Sequence, residues 1–118
     1  MPQSPASDEG PRIEPPVSLP SAPSTKPAPS AVADVSRRMK ALGVQHLGVA
    51  DTIGVGTPRK VQAAMEAALQ HFELDAVSGH FHDTYGQALA NTLAALECGV
   101  ATFDSSVAGL GGCPYAKG

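Results

Sequence analysis

Two histidines, His80 and His82, stand one residue apart in the stretch Gly79-His80-Phe81-His82-Asp83-Thr84-Tyr85-Gly86. Side chains alternate along a strand, so at the end of a short strand both imidazoles fall on one face and can grip a single cation. Imidazoles combined with carboxylates suit Mg²⁺, Mn²⁺, Fe²⁺ or Zn²⁺. The alternative is a pair of strand-end histidines bonded only to backbone. Asp51 and Asp83 have three readings open to them: metal ligand, orienter of a ligand, or acid favoured at a helix start. The other chemical group is the thiol of Cys113, in the loop Gly109-Leu110-Gly111-Gly112-Cys113-Pro114-Tyr115. Its neighbours have little bulk to bury it, and a nearby cation would lower its pKa and fit it to donate or accept a proton. The alternative is an incidental loop cysteine. Cys98, among apolar residues at a helix end, reads as a packing group. His46 and His71 lie away from any strand's C-terminal end and read as solvent or packing residues.

The elements that must hold these groups begin after a composition boundary. Nine of the eleven prolines fall in the first thirty positions, with Ser, Ala and Thr between them and few large apolar residues. Residues 1–30 are therefore expected to be a disordered tail, because so little apolar surface does not offset the entropy of ordering it. Residues 31–118 are expected to form the folded part. Val35, Met39 and Leu42 stand at helical spacing over Ala33–Leu42, and Gly43 is a natural stop. Val44–Ala50 reads as a strand. Thr57-Pro58 is a helix start, with Val61, Met65, Ala68, Leu69 and Phe72 forming one apolar stripe behind it. Ala76–His80 reads as a second strand, Gln87–Cys98 as a helix with Leu89, Leu93 and Leu96 on one face, and Val100–Asp104 as a third strand.

Strands alternating with helices imply parallel βαβ units. The fold class expected is α/β, a partial (β/α)₈ TIM barrel of about three βα units, since a closed barrel takes roughly 250 residues. In such a barrel the reacting groups lie at the C-terminal ends of the strands. Asp51, His80-Phe81-His82-Asp83 and Asp104-Ser105-Ser106 all fall there, so three successive strand ends point to one active face.

Composition removes other classes. The formal net charge is −3, and the most basic clusters are Arg37-Arg38-Lys40 and Arg59-Lys60, so nucleic-acid binding has no support. No apolar run approaches the roughly 18 residues of a membrane span. Two cysteines are too few for a disulfide framework. The N-terminal stretch has neither the apolar core of a secretory signal nor the Arg-rich, acid-poor make-up of a transit peptide. The expected location is the cytoplasm, in the bacterial manner, ahead of the mitochondrial matrix.

Three strings, Asp51 to Pro58, His80 to Asn91 and Asp104 to Ala116, resemble the 3-hydroxy-3-methylglutaryl-CoA lyase family. The His-x-His-Asp element is shared with a wider group of metallolyases, and the Gly-Gly-Cys-Pro-Tyr-Ala loop is the discriminating part. The resemblance covers residues 31–118. It implies a (β/α)₈ barrel that cleaves 3-hydroxy-3-methylglutaryl-CoA into acetyl-CoA and acetoacetate, a step of leucine degradation and ketone-body formation. It implies Mg²⁺ or Mn²⁺ on His80 and His82, with His80 also moving a proton and Asp51 beside metal and substrate. It further implies Cys113 as the acid–base thiol on a loop that closes over the substrate, and a homodimeric full-length parent. The family's first-strand arginine and aspartate ligand have no counterpart here, and its further metal-binding asparagine falls beyond Gly118. The expectation is accordingly a chain inactive alone. Two other readings are a related acyl-CoA aldol-type synthase or carboxyltransferase, and a non-catalytic remnant whose Pro-rich tail docks to partners.

Overall fold

The computed structural model describes residues 29–117. The expected tail falls almost entirely on residues 1–28, outside the described ones. The described chain runs α1 (Pro29–Ala41), β1 (Leu47–Ala50), α2 (Pro58–Leu69), a 3₁₀ turn (Leu74–Ala76), β2 (Val77–His80), α3 (Ala88–Glu97), β3 (Thr102–Phe103) and a second 3₁₀ turn (Val107–Gly109). The strands pair in parallel in chain order, β1-β2-β3, with Leu47 opposite Val77, Ala50 opposite His80, and Gly79 opposite Phe103. This is the α/β arrangement expected of consecutive barrel units. None of the described helices is long and apolar enough to cross a membrane.

α1 starts earlier than the expected Ala33, and takes in Pro29 and Ser30, which composition had assigned to the tail. Proline is favoured in the first helical turn, where an N–H is not needed, so a Pro-rich edge does not stop a helix from beginning. The strands are shorter than expected: β1 does not begin until Leu47 and β3 keeps only Thr102 and Phe103. Strand length is set by the pairing partner, which apolar composition does not reveal. α2 begins at Pro58 with Thr57 as an extended N-cap, although its hydroxyl makes no capping bond.

The core lies between α2, α3 and one face of the sheet. It gathers Val61, Met65, Ala68 and Phe72 from the α2 region, Leu47 and Val77 from the strands, Ala94 and Ala95 from α3, and Val100. α1 packs on α2, and the Lys40 ammonium sits 4.9 Å from the Phe72 ring centroid. Ser36, buried on α1, satisfies its hydroxyl on the Val32 carbonyl one turn back, at 2.8 Å. The α2 stripe is buried as expected. On α3 the buried side carries Asn91, Ala94 and Ala95, while Leu89 is 84% exposed and Leu93 58%. The small residues let α3 lie close against α2, and the leucine ridge has no partner among the described residues.

Candidate metal and catalytic site

Parallel pairing brings the three strand ends to one edge, where backbone bonds stitch them together. The Asp51 N–H donates to the His80 carbonyl at 2.9 Å, and the Asp104 N–H to the Gly79 carbonyl at 3.1 Å. His80 ends β2 and His82 follows just beyond it. Their ring centroids are 5.0 Å apart in an edge-on arrangement, so the two imidazoles lie together although His82 is past the end of the strand.

Each ring is held through the same nitrogen. His82 Nδ1 lies 2.6 Å from the Asp51 carbonyl oxygen. A carbonyl only accepts, so this nitrogen carries the proton and the lone pair of the neutral ring is on Nε2. His80 Nδ1 lies 2.8 Å from Asp104 Oδ2, and that carboxylate orients the ring in the same sense. Metal-ligating histidines are held in this way, with one N–H on a carbonyl or carboxylate and the other nitrogen presented to the ion. The pair thus fits a divalent cation as two of its ligands. The described residues contain no group of three or more His, Cys, Asp or Glu that could hold an ion between them.

Asp51 acts through its turn. Its Oδ1 accepts the N–H groups of Val55 at 3.0 Å and Gly56 at 2.9 Å, while Oδ2 is buried with no hydrogen-bond partner among the described residues. Its carboxylate therefore forms the 51–56 loop, and its carbonyl holds His82. Asp83 takes the helix-start role: Oδ1 accepts the Ala88 N–H at 2.9 Å, on the first residue of α3. The partnership of Asp104 with His80 was not visible in the sequence, where the two stand 24 residues apart with nothing in their spacing to connect them.

Cys113 is half-buried, and its Sγ accepts the Tyr115 N–H at 3.5 Å. Most of its loop is exposed, Val107, Leu110 and Tyr115 included, but Ala116 is buried. Ala116 seats against Gly54, whose φ of +72° is left-handed and whose missing Cβ would meet the Thr84 side chain and lie 3.3 Å from Ala116 Cβ. The first and second strand-end loops thereby anchor the far end of the Cys113 loop. No hydrogen bond joins Cys113 to either histidine among the described residues.

The other cysteine has a different setting. A cleft of about 430 Å³ between α2 and α3 is lined by Gln62, Glu66, Leu69, Gln70, Glu97 and Cys98. It contains none of the strand-end groups. Burial, with the Glu66 and Glu97 carboxylates adding to it, pushes the Cys98 thiol above its ordinary pKa and keeps it protonated.

The fold defines a segment of a parallel βα barrel, with two histidines held side by side at its strand ends. The HMGL-like family model matches residues 7–114, which takes in most of the Pro-rich stretch as well as the folded part. The mitochondrial hydroxymethylglutaryl-CoA lyase of Bos taurus is 53% identical over 93 residues, covering 79% of this chain and 29% of that protein. The crystal structure of the HMG-CoA lyase from Brucella melitensis matches with a TM-score of 0.71 and 45% identity, over 82% of this chain and 35% of that one. A lyase from Acinetobacter baumannii, solved with coenzyme A and 3-methylmalate, matches at 35% identity and a TM-score of 0.68, over 73% of this chain and 28% of that one. The chain belongs to the HMGL-like family. It spans about 29% of the length of the curated relatives it matches.

Proposed function

We propose that this chain carries the metal-binding and thiol-bearing strand ends of a carbon–carbon lyase that cleaves 3-hydroxy-3-methylglutaryl-CoA into acetyl-CoA and acetoacetate. The observation that carries the reading is the matched fixing of His80 and His82, each held at Nδ1, which leaves Nε2 as the nitrogen to present to an ion. A divalent cation, Mg²⁺ or Mn²⁺, would be held by these two nitrogens and would supply Lewis-acid polarisation of substrate oxygens. Asp104 keeps the His80 ring aimed, and the Asp51 carbonyl does the same for His82. With Nε2 on the cation, the proton route left to His80 runs through Nδ1 to the Asp104 carboxylate. Cys113 is the candidate donor that protonates the acetyl-CoA enolate, its loop anchored at Ala116 and otherwise able to fold over a bound acyl-CoA.

Two assays test the proposal. Titration of the chain with Mn²⁺, followed by electron paramagnetic resonance, is expected to show binding that His80→Ala and His82→Ala each abolish. The chain alone is expected to release no acetoacetate from 3-hydroxy-3-methylglutaryl-CoA, and a full-length lyase carrying these strand ends is expected to require His82 and Cys113 for that release. Binding of Mn²⁺ that is indifferent to both histidines would overturn the metal assignment. Release that survives Cys113→Ala unchanged would remove the thiol from the reaction.

A further inference from the structure

Asn91 is a polar residue with no exposed surface, on the buried side of α3 among alanines. Its Nδ2 donates to the Gly56 carbonyl at 3.2 Å, and its Oδ1 is buried without a hydrogen-bond partner among the described residues. An orphaned buried oxygen is unfavourable, and an apolar side chain of similar size would avoid it. The amide is therefore placed here at a cost to stability, and the loop it holds accounts for its presence. Gly56 donates its N–H to Asp51 Oδ1 at 2.9 Å. A Cβ built on Gly56 would stand 3.0 Å from Asp51 Cγ and 3.3 Å from Asn91 Nδ2, so the three groups meet with no space for a side chain between them. At the other end of this turn the Asp51 carbonyl oxygen accepts both the Gly54 N–H at 3.2 Å and His82 Nδ1–H at 2.6 Å.

We infer that Asn91 is a positioning residue: by gripping Gly56 it fixes the 51–56 loop, and through the Asp51 carbonyl it holds His82 with its proton on Nδ1. The chain of contacts runs from α3 to the loop after β1 and then to the residue after β2. Its importance for catalysis rests on the lyase reading, because only a metal or substrate at Nε2 would use the tautomer so fixed. The tautomer itself does not depend on that reading.

The test is a long-range ¹H–¹⁵N correlation spectrum of the full 118-residue chain, metal-free and with histidine labelled, above the pH range where imidazole titrates. In the native chain His82 is expected to show a protonated Nδ1 and a lone pair on Nε2. In Asn91→Leu, which keeps the number and branching of the side-chain heavy atoms and removes the donor, His82 is expected to lose that pattern and become a tautomer mixture. His80, held separately by Asp104, keeps its own pattern and serves as the reference. Gly56→Ala attacks the same junction from the loop side and is expected to do the same. If the His80 pattern is lost as well, that variant has unfolded and the other one decides. Retention of the His82 pattern in a folded Asn91→Leu or Gly56→Ala chain overturns the inference. If the His82 pattern shifts in the variants while Mn²⁺ binding by the native chain proves indifferent to both histidines, the inference stands and the metal assignment behind the lyase reading falls.

Discussion

Replacing Gly54 by alanine should separate two costs that most glycine substitutions mix. Gly54 has a φ of +72°, and an L-residue in the left-handed region costs about 1–2 kcal/mol. The new methyl would also overlap the Thr84 side chain and press on Ala116, and overpacking of this kind costs about 1–3 kcal/mol. The total of about 2–5 kcal/mol is large against the roughly 4–13 kcal/mol expected for the described part at 0.05–0.15 kcal/mol per residue. Gly86 supplies the control. Its φ is +68° and a Cβ there would meet nothing within 4 Å, so Gly86→Ala carries only the backbone cost. With a urea slope of about 1 kcal/mol per molar, the Gly54→Ala midpoint should fall roughly 1–3 M below that of Gly86→Ala. Iodoacetamide should also alkylate Cys113 faster in Gly54→Ala, because the seat of Ala116 is disturbed, and no faster in Gly86→Ala. Coincident urea midpoints for the two variants would refute the packing of the three loops around Gly54.

Met65→Ala, at a fully buried core position, is expected to destabilise by about 2–5 kcal/mol in the same urea titration. Asp104→Ala should weaken Mn²⁺ binding by about 10–100-fold while far-UV circular dichroism stays native, since it frees the His80 ring without touching the core. Asp83→Ala removes the acceptor at the start of α3 and should cost about 1 kcal/mol in thermal or urea unfolding. For Cys98 the folded-state pKa is raised above the ordinary 9.0 by burial and by Glu66 and Glu97. Its contribution to stability is therefore complete below about pH 9 and lost as the pH rises through the folded-state value. Alkylation of Cys98 in the native chain should accordingly begin at higher pH than in the urea-unfolded chain, and identical pH profiles would contradict the burial.

Local signals in the sequence were enough to place α2, because Thr57-Pro58 marks its start and Val61, Met65 and Ala68 repeat at the helical period. The same periodicity found Leu89, Leu93 and Leu96 on α3, but a period says which residues share a face and not which face meets a neighbour. The packing against α2 went to the alanine side, with Asn91 among them. The nearness of His80 and His82 was legible from their spacing of two, although His82 lies past the end of β2. The groups that aim them were not: Asp104 reaches His80 across a strand pairing, and the Asp51 carbonyl reaches His82 through a backbone atom that every residue type possesses. Asn91 was hidden for a related reason, since an asparagine in a helix ordinarily suggests an outward-facing position.

Chain-order pairing of the strands also sets a schedule for assembly. Among the described strands β2 and β3 each dock on the one made just before, so neither waits for a distant partner as the chain emerges from the ribosome. β1 and its turn can be complete when β2 arrives, and His82 then finds the Asp51 carbonyl at once. His80 is made 24 residues ahead of Asp104 and remains unaimed until β3 docks. Docking of β3 therefore finishes the histidine pair, and a chain made only as far as β2 lacks a fully oriented pair to offer a metal ion.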